Sequence, residues 1–299
     1  MYIEQLQKYK PKLVLYLPIP FGFLGLMIYN YMSTANLDTA KLMQDYIKNF
    51  GENVTFMLLI IPFAIFLLGV LLYNRHVQNN SIRLLTTSRT KIDWRRVFFS
   101  FSVWGIFTVV STLISFWLMP QDFVWNFKPI PFFVFLLLAV IFIPLQTSFE
   151  EYLFRAHLLQ GLGLATQTRW VPLIVTSVLF GLMHAANPEV EKMGFIIMLY
   201  YIGTGLFLGI LTLMDEGLEL ALGFHAANNL IGALLLTSDW SAFQTNSLFK
   251  DVSEPQVALQ IVVPVVLIYP LLLLIFSKKY KWKNWDQKLF GSLQTIETE

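Results

Sequence analysis

The chain of 299 residues contains no cysteine. That excludes disulfides, thiolate catalysis and thiolate metal sites, so any metal would be held by His, Asp, Glu or Asn. Charge is scarce too: 13% of residues are charged and 56% are hydrophobic, where a soluble domain carries roughly 25% charge. The chain starts Met1-Tyr2-Ile3-Glu4-Gln5, without the basic region, short apolar run and small-residue cleavage site of a secretory leader. The first apolar stretch is therefore expected to remain as a permanent span. No internal repeat or low-complexity tract stands out, and no interruption of the apolar sequence is long enough for a soluble domain.

What the chain has instead is long apolar segments. Eight reach or approach the roughly 20 residues that a helix needs to cross a bilayer. They lie at Leu13–Met32, Val54–Tyr73, Val97–Met119, Pro131–Gln160, Val171–Ala186, Gly194–Met214, Gly217–Thr237 and Val257–Phe276. The fold class expected is all-α: a single integral membrane domain over residues 1–299, built as a bundle of about eight transmembrane helices. The fourth segment is too long for a simple span. Pro172 marks the start of the short fifth.

Lysine and arginine set the orientation. With a cytoplasmic N-terminus, 16 of the 21 basic residues fall on inner segments and 5 on outer ones. Such a bias places both termini in the cytoplasm and argues for an even number of spans. The tail Lys278-Lys279-Tyr280-Lys281-Trp282-Lys283 reads as an interfacial anchor rather than a nucleic-acid site. The bilayer is the partner that composition implies; short loops and zero cysteine point to a bacterial plasma membrane.

Three polar clusters interrupt the apolar sequence: Glu150-Glu151-Tyr152-Leu153-Phe154-Arg155, Phe180-Gly181-Leu182-Met183-His184 and His225-Ala226-Ala227-Asn228-Asn229. Ionisable groups inside a membrane are costly unless paired, hydrated or bound to something. Glu151 and Arg155 are four apart and share a helix face, as a structural ion pair would. Glu150 lies about 100° around the helix and is left over. A carboxylate without a fixed partner is the group that a general base acting on water requires. Phe180 precedes His184 by one turn, and His225 and Asn229 also share a face. Each cluster alone is also explained by ordinary helix packing.

Helix rise gives depths of about 12 Å for His225 and about 20 Å for His184 from the cytoplasmic side, with Glu150 near the inner edge. The depths do not coincide, and meeting would need tilt or the excess length of the fourth segment. His157 is expected to be solvated near the surface, and His76 to sit in a basic loop. Tyr200, Tyr201, Gly203, Gly205 and Gly209 are expected in close helix packing, and Asp215, Glu216 and Glu219 in a hydrated cytoplasmic turn.

Together the clusters resemble the CAAX-protease and bacteriocin-processing family of intramembrane proteases, also called the Abi family. Its pattern is Glu-Glu-x-x-x-Arg, Phe-x-x-x-His and His-x-x-x-Asn or Asp. Here Glu150, Glu151 and Arg155, then Phe180 and His184, then His225 and Asn229 match it in order and spacing. The resemblance covers residues 131–237, taken as the catalytic core. It implies an eight-helix bundle in which Glu150 activates water and His184 positions it. His225 and Asn229 would stabilise the oxyanion, and Glu151–Arg155 would hold the site together. It also makes zinc a candidate cofactor on Glu150, His184 and His225, although no His-Glu-x-x-His motif is present. The partner implied is a membrane-associated peptide or membrane protein as substrate. Family association with bacteriocin immunity offers a second reading, a non-catalytic immunity or scaffold protein against a membrane-active peptide. A transporter is disfavoured by the missing repeats.

Overall fold

The computed structural model describes residues 1–34, 37–256 and 258–294. Val257, where the eighth expected segment begins, lies outside them. The chain forms a helical membrane bundle whose apolar helices are here labelled α1 (Leu13–Thr34), α2 (Glu52–His76), α3 (Trp94–Leu118), α4 (Pro129–Thr166), α5 (Trp170–Leu182), α6 (Phe195–Asp215), α7 (Glu219–Leu235) and α8 (Gln260–Tyr280). Six are long and apolar enough to cross a bilayer. The expected count of about eight is thus six long spans, with α5 at 13 residues and α7 at 17.

Local sequence explains where these helices begin and end. Asp93 caps α3 by accepting from the Arg95 N–H at 3.1 Å, and Pro129 occupies the first turn of α4, where its missing N–H costs nothing. Glu216 closes α6 in a left-handed conformation at φ +59°. The longest helix, α4, runs 38 residues, or about 57 Å, well beyond a hydrocarbon core of roughly 30 Å. It carries Pro144 and, immediately after the two glutamates, a π-helical stretch at Tyr152–Leu158.

Close approach between helices depends on glycine. A Cβ at Gly223 in α7 would sit 2.1 Å from the Val97 carbonyl oxygen of α3, and one at Gly205 in α6 would sit 2.8 Å from that of Ser177 in α5. Gly203 and Gly209 meet Val265 and Leu173 in the same way, as expected of them. Phe149, Phe180, Phe207, Phe224 and Tyr269 pack in the central core, with Phe207 stacked on Tyr269 at 4.6 Å.

The bundle has two distinct ends. At one, three short strands interrupt the all-α pattern: β1 (Phe123–Trp125), β2 (Leu236–Thr237) and β3 (Phe249–Asp251). They form a sheet in the order β1-β3-β2, antiparallel between β1 and β3 and parallel between β2 and β3. At the other end the segments around Tyr2 and Lys288 meet. The Tyr2 N–H donates to Glu216 at 2.5 Å, and Lys288 pairs with the same carboxylate at 3.1 Å.

Burial corrects three expectations. Asp215 and Glu219 are buried, not hydrated. Arg89 reaches both at 3.1 Å, and Arg96 also pairs with Asp215; the basic loop folds over the turn and replaces water with guanidinium groups. His157 is buried rather than solvated. Its Nε2 lies 3.2 Å from the Tyr16 carbonyl oxygen, because α4 continues to Thr166 and carries the residue inside the bundle. Arg155, counted with the basic end, is likewise buried among the helices.

Reporter fusions at Thr34, Thr86, Gln121, Asn246 and the C-terminus should read out, in, out, out, in. The basic bias sets that sign; an outer C-terminus would invert the orientation.

Candidate active site

Glu150 and Glu151 sit mid-way along α4, with the helix extending fifteen residues beyond them to Thr166. Glu150 reaches the His225 ring, so the expected mismatch in depth does not keep these two apart. The His225 ring on α7 lies between the two glutamates: its Nδ1 is 2.8 Å from Glu151 Oε1, and its Nε2 is 3.6 Å from Glu150 Oε2. A carboxylate only accepts, so Nδ1–H is the donor. Glu151 Oε1 also accepts from Arg155 Nη1 at 3.3 Å, the pair expected from their spacing. Arg155 donates from Nη2 to the Gly205 carbonyl at 3.1 Å and lies 4.0 Å over the Phe180 ring. Glu150, Glu151, Arg155 and His225 are all buried.

Asn229 joins through residues that motif reading missed. Trp104 Nε1 donates to Asn228 at 3.1 Å, Asn228 to Asn229 at 3.0 Å, and Asn229 to Gln146 at 3.1 Å. Gln146 in turn donates to Glu150 Oε1. The chain fixes one oxygen of Glu150 and leaves Oε2, buried without a hydrogen-bond partner, facing His225. Gln146 was findable: it precedes Glu150 by one turn in an otherwise apolar helix. Trp104 gave no sequence signal.

His184 is not on a helix. Helix α5 ends at Leu182, and His184 lies in the following turn, its Nδ1 2.8 Å from the Phe180 carbonyl oxygen. That bond leaves Nε2 as the acceptor of a neutral ring. Tyr201, expected only as packing, stacks on the imidazole at 4.4 Å and 15°. Phe180 sits between the two histidines, 5.0 Å from His184 and 5.8 Å from His225 between ring centroids.

Glu150, His184 and Asn229 line a cavity of about 630 Å³. It runs from Gln146 to the loop 238–243 and Asp251, at the end away from Tyr2 and Lys288. Glu189 on the short helix Pro188–Met193 also lines it; burial raises this carboxyl above its ordinary value, against the lowering effect of the Ala242 N–H. A second, apolar groove of about 470 Å³ separates α1 from α4 and α5, and shares Met27, Asn30, Met183 and Ala186 with the cavity.

The zinc set fits only partly. Both histidines bond through Nδ1 to an oxygen and so present Nε2, an orientation that metal ligands adopt. Yet among the described residues no three His, Cys, Asp or Glu side chains are gathered closely enough to hold an ion. Glu150 Oε2 and His225 Nε2, 3.6 Å apart, have the spacing of two ligands on one ion, but no third ligand is gathered with them among the described residues.

A family model described as type II CAAX prenyl endopeptidase Rce1-like matches residues 129–231, the segment that carries all three clusters. An uncharacterized protein, YyaK of Bacillus subtilis (strain 168), is 30% identical over 224 residues, covering 75% of this chain and 73% of the relative. No solved structure matches the chain. With the matched segment coinciding with the assembled site, and the relative extending the similarity over most of both chains, this helical membrane protein belongs to the Rce1-like family.

Proposed function

We propose that the protein is an intramembrane endopeptidase in which Glu150 activates the attacking water. The observation that carries this reading is the facing pair: Glu150 Oε2 and His225 Nε2 lie 3.6 Å apart with Glu150 Oε2 otherwise unpartnered. One proton shared between them satisfies both groups. Water entering from the cavity loses a proton to this pair as its oxygen attacks the scissile carbonyl carbon. The developing oxyanion is met by His225 when its Nε2 holds the proton, and by the Asn229 amide, of whose two hydrogens Gln146 takes one. The same proton then goes to the departing nitrogen as the C–N bond breaks. His184, with Nε2 free to accept, orients the water.

The groove continuous with the cavity supports a membrane-associated substrate, since it offers lipid-exposed apolar surface beside the site. If the basic end is cytoplasmic, the cavity is reached from the opposite face. Peptide libraries incubated with the purified protein and with Glu150→Ala test the reading by mass spectrometry of new termini. Internal cuts that require Glu150 are expected. Their absence would favour the immunity or scaffold role.

Metal content is a separate test. With no three-ligand set assembled, the active protein should carry far less than stoichiometric zinc, and chelators should leave its rate unchanged. His225→Ala should then lower the rate by roughly 10²–10³, as loss of an oxyanion donor does. One tightly held zinc per chain, removed together with activity, would require the three residues to close around it.

A further inference from the structure

We infer that the cavity selects peptides carrying lysine or arginine near the scissile bond, with Glu189 as the residue that recognises the cation. The inference rests on the protease reading above and names the substrate class of that same site. Three carboxylates line the cavity, Glu150, Glu189 and Asp251, and among its described lining residues there is no lysine or arginine. A pit of that composition concentrates cations and repels acidic peptides.

The three acids are not equivalent. Glu150 is committed to Gln146 and His225. Asp251 accepts both the N–H and the hydroxyl of Ser253 on Oδ1, at 2.9 and 2.7 Å, and its Oδ2 is not among the buried oxygens that lack a donor. Glu189 uses one oxygen to accept from the Ala242 N–H at 2.7 Å, which ties its short helix to the loop 238–243. Its other oxygen, Oε2, is buried without a hydrogen-bond partner. The tie to Ala242 and the residue's own backbone N–H both favour the carboxylate, yet neither makes a hydrogen bond to Oε2. A buried carboxylate oxygen without a donor is unfavourable unless a bound group supplies one.

Among the described residues no lysine or arginine pairs with Glu189. Lys192, on the same short helix, pairs with Glu254 at 2.8 Å, and Lys250 pairs with Asp239 at 2.7 Å. Glu189 Oε2 is therefore left without a protein donor, in a residue that lines the cavity with Tyr201 and His184 and that meets a ligand by turning this oxygen outward. A basic side chain of a bound peptide is the donor that suits it, because charge-assisted bonds to a carboxylate are the stronger kind.

The test is cleavage of a peptide library by the full-length protein in detergent, followed by matched peptides that differ only in lysine against norleucine. The wild type should favour lysine by about 10- to 100-fold in kcat/KM, the range for one hydrogen bond to a charged group. Glu189→Gln keeps an oxygen for the Ala242 N–H but removes the charge, and should bring the ratio close to one. Glu150-dependent cleavage without preference for basic residues would overturn the inference while leaving the protease reading intact. A preference that survives in a folded Glu189→Gln would overturn the role of Glu189. No Glu150-dependent cleavage of any peptide would sink the protease reading itself, and this inference with it. Should Glu189→Gln fail to fold, Glu189→Asp, which keeps the charge but shortens its reach, should lower the ratio instead, and an unchanged ratio would overturn the role of Glu189.

Discussion

Glu150→Gln should lower cleavage by about 10²–10⁴-fold, the contribution of a positioned general base, while the protein melts as the wild type does. The amide keeps an oxygen for the Gln146 donor that now holds Glu150 Oε1, so the string of side chains running to Trp104 persists. What is lost is the ability to accept and return a proton opposite His225. Glu150→Ala should be equally inactive, with a somewhat larger effect on folding because Gln146 then loses its acceptor. Activity assays on the two variants beside a thermal melt separate chemistry from folding. Near-normal cleavage by a folded Glu150→Gln would show that another group activates the water.

The other large effect belongs to Glu151. Its Oε1 is shared between Arg155 and His225, so Glu151→Ala removes the carboxylate from a buried guanidinium and the orienting acceptor from a catalytic ring at once. Breaking a buried pair from one side costs about 3–5 kcal/mol, enough to depress yield and melting temperature sharply in a marginally stable protein. Replacing both Glu151 and Arg155 with neutral residues of similar size should restore much of that stability, since neither charge is then stranded. Cleavage should stay low in the double variant, because His225 Nδ1 still lacks its acceptor. A Glu151→Ala protein that melts normally would contradict the buried pair.

Spacing made part of this site legible and hid the rest. Glu151 with Arg155, and His225 with Asn229, were readable because residues four apart on a helix share a face. That Glu150 would be the carboxylate left over followed from the same geometry. Distance along an untilted helix sets Glu150 apart in depth from the histidines, whereas the structure brings it to 3.6 Å from His225 on a helix that runs on to Thr166, longer than an untilted span needs. Asp215 and Glu219 looked hydrated because their partners, Arg89 and Arg96, are more than a hundred residues away in sequence. The stack of Tyr201 on His184 was hidden for a related reason: His184 lies in a turn, where helical periodicity says nothing of direction. Pairings between distant segments carry no local signature, and the site depends on them, as with His225 on Glu151 and Asn229 on Gln146.

The string of side chains from Trp104 through Asn228, Asn229 and Gln146 to Glu150 has a sense of direction. Indole can only donate, and an ionised carboxylate can only accept. Every amide between them must therefore present its oxygen toward Trp104 and its nitrogen toward Glu150. Turning any one amide over sets nitrogen against nitrogen on one side and oxygen against oxygen on the other. Only an exchange that keeps the donor or acceptor each neighbour needs, as Glu150→Gln does for Gln146, leaves the polarity of the whole intact. Damage at two of its positions should therefore add up to less than the separate losses suggest, as is usual for neighbours in one network. Sequence drift at any of these five positions is tied to the other four.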